Sequence, residues 1–123
     1  MKTQFEDVAF VVYPVSDMAR ARAFYADVLE LQETSNWENI WVEYDIGHGT
    51  LAITNSFPER QPGAKGALLG IEVKDLDAVA ALLAKKGIAW SSGPFDTPVC
   101  RGASIKDPEG NELILHQRKN KNA

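Results

Sequence analysis

The 123 residues contain one cysteine, Cys100, so no internal disulfide can brace the chain. That fits a reducing, cytoplasmic setting and excludes the small disulfide-stapled class. Long apolar runs are missing as well. None reaches the ~18 residues needed to cross a bilayer, and Met1 to Asp7 is too polar for a secretory leader. Positive charge is also short: 13 Lys and Arg stand against 17 Asp and Glu, for a net charge of −4. Phosphate backbones and anionic membranes favour a basic surface, so neither nucleic acid nor membrane is expected as a partner. What is present is an ordinary globular composition, 45% hydrophobic, with three tryptophans and five phenylalanines. That is enough for one domain with a full core, or for a core and an aromatic pocket.

Taken in order, Val8 to Val15 reads as a strand with Val11, Tyr13 and Val15 on one face and Phe10, Val12 and Pro14 on the other. Asp17 then has the character of a helix N-cap. Met18, Ala21, Phe24, Tyr25, Val28 and Leu29 follow at helical spacing and predict an amphipathic helix ending near Leu29. Trp37 to Ile46 is a second strand, Gly47-His48-Gly49 a hairpin turn, and Thr50 to Asn55 a third strand. A proline- and glycine-rich stretch over about 57–66 has no periodicity and reads as a linker. Beyond it Ala67 to Val73 is a strand, and Asp75 caps a helix carrying Leu76, Val79, Ala80, Leu82 and Leu83. Gly87 ends that helix. Ile88 to Ser91 is extended, Gly93 to Pro98 a turn-rich loop, and Val99 to Ile105 a strand.

The pattern repeats. An offset of 58 residues places Val15 on Val73, Asp17 on Asp75, Met18 on Leu76, Phe24 on Leu82 and Tyr25 on Leu83. The expected fold is therefore α+β. Two βαβββ repeats form a curled mixed β-sheet cleft with the helices on the outer face. The expected organisation is a single domain: a first module over about 6–56, the linker over 57–66, a second module over about 67–118 and a tail over 119–123.

The last signature is Asp107-Pro108-Glu109-Gly110-Asn111, a tight turn feeding a strand in which Leu113 and Leu115 alternate with Glu112, Ile114 and His116. Together with Val15-Ser16-Asp17-Met18 and Phe24-Tyr25-Ala26-Asp27-Val28-Leu29, it resembles the vicinal-oxygen-chelate superfamily. That group includes glyoxalase I, extradiol dioxygenases and bleomycin-binding proteins. The resemblance runs from about Val8 to His116 and implies paired βαβββ modules in a homodimer. Glu30 departs from it, standing where the family usually has glycine. The resemblance also implies four metal-ligand positions, here Phe10, Ala52, Leu68 and Ile114. None of those side chains can donate a lone pair to a cation, so no metal and no other cofactor is expected.

Several polar or aromatic residues remain as site candidates. His116 shares the parity of Ile114, and is either a ligand or acid–base residue or a surface histidine at a strand end. Glu43 is either a solvated edge carboxylate or a base or holder of a cationic group. Trp41 either stacks on a ligand or fills a core. Cys100 and Arg101 are consecutive, and parity leaves open which faces inward. Cys100 reads first as a small buried side chain, Arg101 as a holder of an anionic group. His48 reads as a solvated turn residue, Glu72 as a rim charge and Arg118 as tail. The expected ligand-binding set is Phe10, Trp41, Glu43, Ala52, Leu68, Cys100, Arg101, Ile114 and His116.

The expectation is a protein that binds a small organic molecule in an apolar cleft without the usual metal. The alternative is a lyase, isomerase or dioxygenase-like enzyme with His116 and Glu43 as catalytic acid and base, or with a metal site rebuilt from Glu43, Cys100 and His116.

Overall fold

The computed structural model describes residues 4, 8–58, 60–63 and 68–119. The expectations for most of the N-terminal segment, for Glu59 and residues 64–67, and for the tail beyond Lys119 lie outside these residues. The chain divides into two compact units, Met1–Gln61 and Pro62–Ala123.

The first unit runs β1 (Val11–Pro14), α1 (Met18–Ala23), β2 (Gln32–Trp37), β3 (Trp41–Ile46) and β4 (Gly49–Thr54). Its four strands form one mixed sheet in the order β1-β4-β3-β2, with β1 parallel to β4 and the other pairs antiparallel. The second unit repeats the plan with β5 (Leu69–Glu72), α2 (Leu76–Lys85), β6 (Ser92–Asp96), β7 (Cys100–Lys106) and β8 (Glu112–Arg118). Its order is β5-β8-β7-β6, again with only the first pair parallel. The fold is α+β, with one βαβββ module per unit.

Both helices start where an aspartate satisfies their orphan amides. Asp17 Oδ1 accepts from the Arg20 amide at 3.0 Å, and Asp75 Oδ1 accepts from Asp77 and Ala78. Gln117, reaching over from β8, accepts from the Leu76 amide at 2.7 Å and ties α2 to its sheet. The first helix does not end cleanly. Phe24–Val28 continues it as a wider π-helical turn, and the Leu29 amide donates to the Phe24 carbonyl five residues back. Glu30 then takes the left-handed conformation, φ 57°, to stop it. The second helix stops in the ordinary way at Gly87, φ 79°.

Each helix seals one face of its sheet. In the first unit Met18, Ala21, Phe24 and Tyr25 are buried together with Tyr13, Val42, Tyr44, Leu51 and Ile53. The rings of Tyr25 and Tyr44 meet at 5.9 Å. In the second, Leu76 and Leu83 are buried with Ala103, Ile105, Leu113 and Leu115. Fully burying such side chains contributes roughly 1.5–3 kcal/mol each. Leu82, expected on the sealed stripe, is 49% exposed. Its place beside Leu83 turns it round the helix toward solvent.

Strand and tail limits differ from expectation in four places. β1 starts at Val11, leaving Val8 to Phe10 outside the sheet. The stretch from Trp37 to Ile46 is not one strand. Trp37 ends β2, Glu38 and Asn39 turn with φ 50° and 60°, and β3 begins at Trp41. Two successive left-handed residues make a type I′ hairpin without the usual glycine. Residues 92–96 form edge strand β6 rather than a loop. Its pairing shifts register between Ser92 and Phe95, around a cis Gly93-Pro94 bond. Finally, Lys119 is no loose tail residue: its amide donates to the Val99 carbonyl and its ammonium pairs with Asp96.

The turn from Asp107 to Asn111 is internally bonded. Asp107 Oδ1 accepts from the amides of Glu109 and Asn111, and Oδ2 accepts from the Asn111 side chain at 2.8 Å. Asn111 Oδ1 takes the Gly63 amide at 2.9 Å. Both side chains are buried. Replacing Asp107 by alanine strands those donors, and a loss of about 3 kcal/mol is expected in urea denaturation. A loss under about 1 kcal/mol would show that the turn is not a structural anchor. Conversely, Glu30→Gly removes left-handed strain. It is expected to stabilise by roughly 0.5–1 kcal/mol, whereas Glu30→Ala is not. Thermal melts of the three proteins check this.

Candidate functional site

The helix covers one face of each sheet; chemistry is available on the other. Cross-strand partners share a face, so the register identifies its residues. In the first unit one far-face row reads Val12, Ala52, Glu43 and Ser35, and the next reads Pro14, Thr54, Trp41 and Trp37. Phe10 and Phe57 close on this second row. The Phe10 ring meets Trp41 edge-on at 5.3 Å, and Phe57 meets it at 6.1 Å. Trp37 is 61% exposed, Phe10 44% and Phe57 39%. The indole N–H of Trp41 donates to Glu43 Oε2 at 2.8 Å. That bond fixes the indole plane and orients the carboxylate. The result is an exposed aromatic patch with one carboxylate set into it, the kind of surface that marks a binding face.

In the second unit the far-face rows are Gly70, Ile114, Ser104 and Ser92, then Glu72, His116, Gly102 and Phe95, then Arg118 and Cys100. His116 Nδ1 and Glu72 Oε1 are hydrogen-bonded at 2.6 Å, and Glu72 Oε2 accepts from the Arg118 amide at 2.7 Å. The hydrogen bond from His116 and that from the Arg118 amide hold the Glu72 carboxyl below the usual carboxylate range. The Phe95 ring lies on Gly102, where an added Cβ would come within 2.4 Å of the ring tip. Only glycine leaves room for that ring beside the His116 row.

The sequence candidates therefore separate. Phe10, Trp41, Glu43 and Ala52 share one far face, with Ala52 buried beneath its neighbours. Ile114, His116 and Cys100 share the other, and Leu68, just before β5, is exposed. Cys100 is bonded to Thr97, with its Sγ 3.3 Å from the threonine hydroxyl. Arg101 turns to the helix side, where its guanidinium forks onto Asp77 of α2 at 3.0 and 3.2 Å. That pair holds the Asp77 carboxyl down and the Arg101 guanidinium up. An anion-holding role for Arg101 does not match this orientation. Glu72, expected as a rim charge, is the fixed partner of His116. Trp37, Phe57 and Phe95 join these faces without being among the sequence candidates. Trp37 stands directly opposite Trp41 only once the hairpin between them is recognised.

A divalent ion of the kind the resemblance implies does not fit these side chains. Phe10, Ala52, Leu68 and Ile114 offer no donor atom. Among the described residues no three His, Cys, Asp or Glu side chains gather closely enough to hold an ion. Apart from the far faces, a shallow groove of about 410 Å³ runs beside α2, lined by Ala80, Leu83, Ala84, Gly87, Ile88, Ala89 and Trp90. No ionisable side chain lines it.

Comparison with known proteins follows the same line. The family model of the Glyoxalase/Bleomycin resistance protein/Dioxygenase superfamily matches residues 7–115. Among solved structures, TnmS3, an antibiotic binding protein from Streptomyces sp. CB03234, is similar at 30% identity with a TM-score of 0.81. The match covers 94% of this chain and 98% of that one. A glyoxalase/bleomycin resistance protein from the same organism is 29% identical, TM-score 0.78, covering 90% and 100%. Lactoylglutathione lyase from Agrobacterium tumefaciens shares the fold alone, at 18% identity and TM-score 0.72 over 91% and 93%. No curated protein matches the sequence.

The Glu72 bonds carry a pH signature. A carboxyl whose folded pKa lies below its unfolded value stabilises fully above the ordinary glutamate range, and that stability is lost as pH falls through the folded value. The melting-temperature advantage of the wild type over Glu72→Gln is thus expected to be full at neutral pH and to fade below about pH 4. A gap that stays constant down to pH 3 would contradict it. Because Glu72 is 42% exposed, the effect is small.

Proposed function

The chain belongs to the Glyoxalase/Bleomycin resistance protein/Dioxygenase superfamily, and from that premise we propose that it binds a small planar organic molecule, an antibiotic-like compound, without a resident metal. The observation that carries this reading is the exposed aromatic face of the first sheet: Phe10, Trp37, Trp41 and Phe57, with the Glu43 carboxylate hydrogen-bonded to the Trp41 indole. The likeness to an antibiotic binding protein at 30% identity supports it.

The physical basis is simple. Flat apolar rings gain from burial against tryptophan and phenylalanine, and aromatic contacts add about 0.5–1.5 kcal/mol beyond area alone. Glu43 Oε2 is engaged by Trp41, while Oε1 has no hydrogen-bond partner among the described residues. That oxygen is placed to accept from a ligand's ammonium, amide or hydroxyl, which gives orientation to an otherwise greasy contact. The second unit, taken by itself, carries its own proposed contacts: Leu68, Ile114 and Cys100 as apolar ones and His116 as a polar one. Arg101, turned toward α2, is left out of the proposed binding set. A homodimer and a cytoplasmic setting complete the reading.

The metal-dependent alternative is disfavoured by the donor chemistry of Phe10, Ala52, Leu68 and Ile114. Glu43 remains a ligand holder here rather than a catalytic base, because its carboxylate is bonded to an indole and not to another titratable group.

Thermal-shift screening against a panel of antibiotics, bleomycin and planar polycyclic compounds included, tests the proposal. A true ligand at a hundred times its Kd adds about 2.7 kcal/mol of stability. Trp41→Ala is expected to weaken that ligand by about 2 kcal/mol, roughly thirtyfold in Kd. If no compound shifts the melt, or if Trp41→Ala binds as well as wild type, the aromatic face is not the binding surface.

A further inference from the structure

The second unit holds a polar pair that the aromatic face does not use. Glu72 on β5 and His116 on β8 are cross-strand partners on the far face of their sheet, and the carboxylate is fixed from two sides. One oxygen takes His116 Nδ1 at 2.6 Å; the other takes the Arg118 amide at 2.7 Å. The carboxylate is therefore not free to rotate away from the ring. A carboxylate beside Nδ1 places the imidazole proton on that nitrogen. In the neutral ring Nε2 is then left as an acceptor with a fixed direction. It has no hydrogen-bond partner among the described residues, and the side chain is 35% exposed. Next in the same cross-strand row come Gly102 and the Phe95 ring seated on it, with Ile114 one step along β8 on the same face. An oriented acceptor thus lies in a row that ends on an exposed aromatic ring.

We propose that Glu72 and His116 form a hydroxyl-recognition subsite: Nε2 of His116 accepts a hydrogen bond from a phenol or enol O–H of an aromatic ligand whose ring packs against Phe95. Glu72 is the positioning residue, acting through the tautomer and the ring orientation of His116. The inference rests on the reading of the protein as a binder of small organic molecules, and it names the chemical class: hydroxylated aromatics rather than plain ones. The arrangement selects an O–H over its methyl ether. The ether cannot donate, and it leaves the acceptor desolvated and unpaired.

The test compares 2-naphthol with its methyl ether, 2-methoxynaphthalene, at about pH 8, where a naphthol keeps its proton. Affinities come from ligand fluorescence on the intact protein. Wild type is expected to prefer the naphthol by about tenfold or more. The preference is expected to fall to near one in His116→Phe, and to drop in Glu72→Gln, where the amide no longer enforces the Nδ1–H tautomer. An independent readout needs no variant. Nitrogen-15 NMR of the ring in the free protein is expected to show protonated Nδ1 and unprotonated Nε2 at that pH. Equal affinity for the two compounds, or the opposite tautomer, overturns the inference while binding of either compound still upholds the organic-ligand reading. Failure of both compounds to bind also overturns it. The antibiotic panel then decides separately whether the broader reading stands.

Discussion

One constraint governs both halves of this chain: among the described residues, each four-stranded sheet has a single helix to cover it. A sheet has two faces, and alternation sends every second residue to each. The helix face fills with Tyr13, Val42, Tyr44, Leu51 and Ile53 in one unit and with Ala103, Ile105, Leu113 and Leu115 in the other. Apolar residues on the opposite face are not needed to hold the helix. Their presence there, as Phe10, Trp41 and Ile114, therefore asks for another explanation, and the proposed binding role offers one. Three polar groups of those faces are engaged in local bonds that set their direction: Glu43 to Trp41, Glu72 to His116, Cys100 to Thr97.

Register is what keeps those faces distinct, because a one-residue slip exchanges them. In the second unit the Asp107–Asn111 turn fixes it. Its buried aspartate and asparagine are bonded to each other and to the backbone on either side, and Lys106 pairs with Glu112 across it. From that pairing Ile105 meets Leu113 on the helix side, and Gly102 meets His116 on the other. The same register decides between Cys100 and Arg101. Cys100 falls opposite Arg118 on the far face; Arg101 falls opposite Gln117 and reaches Asp77 on α2. Glu30 shows the converse. A helix that must stop at a fixed place imposes a left-handed residue there, and this chain accepts the strain of a glutamate.

Much of this was legible in the sequence. The aspartate caps, the periodic face of α2 and the alternation of β8 follow from local rules, and the repeat made the module plan visible. What stayed hidden depends on pairing between strands. β2 is polar and lies at a sheet edge, so it carries no alternation, and its hairpin turns through Glu38 and Asn39 instead of glycine. β6 contains Gly93-Pro94 and a register shift, which mimic a loop. Without β2 there is no reason to set Trp37 beside Trp41. Without β6 there is none to seat Phe95 on Gly102. Glu72 looks like a rim charge in the sequence because its partner lies 44 positions away.

The three tryptophans give the most direct test of the central claim, that ligand sits on the far face of the first sheet. Trp37 and Trp41 lie on that face, whereas Trp90 lines the groove beside α2. Each indole N–H gives its own proton–nitrogen NMR signal. On titration with 2-methoxynaphthalene the account predicts that the Trp37 and Trp41 signals move together and saturate while the Trp90 signal stays still. Movement of Trp90 with Trp41 unchanged would place the ligand in the α2 groove and contradict the account.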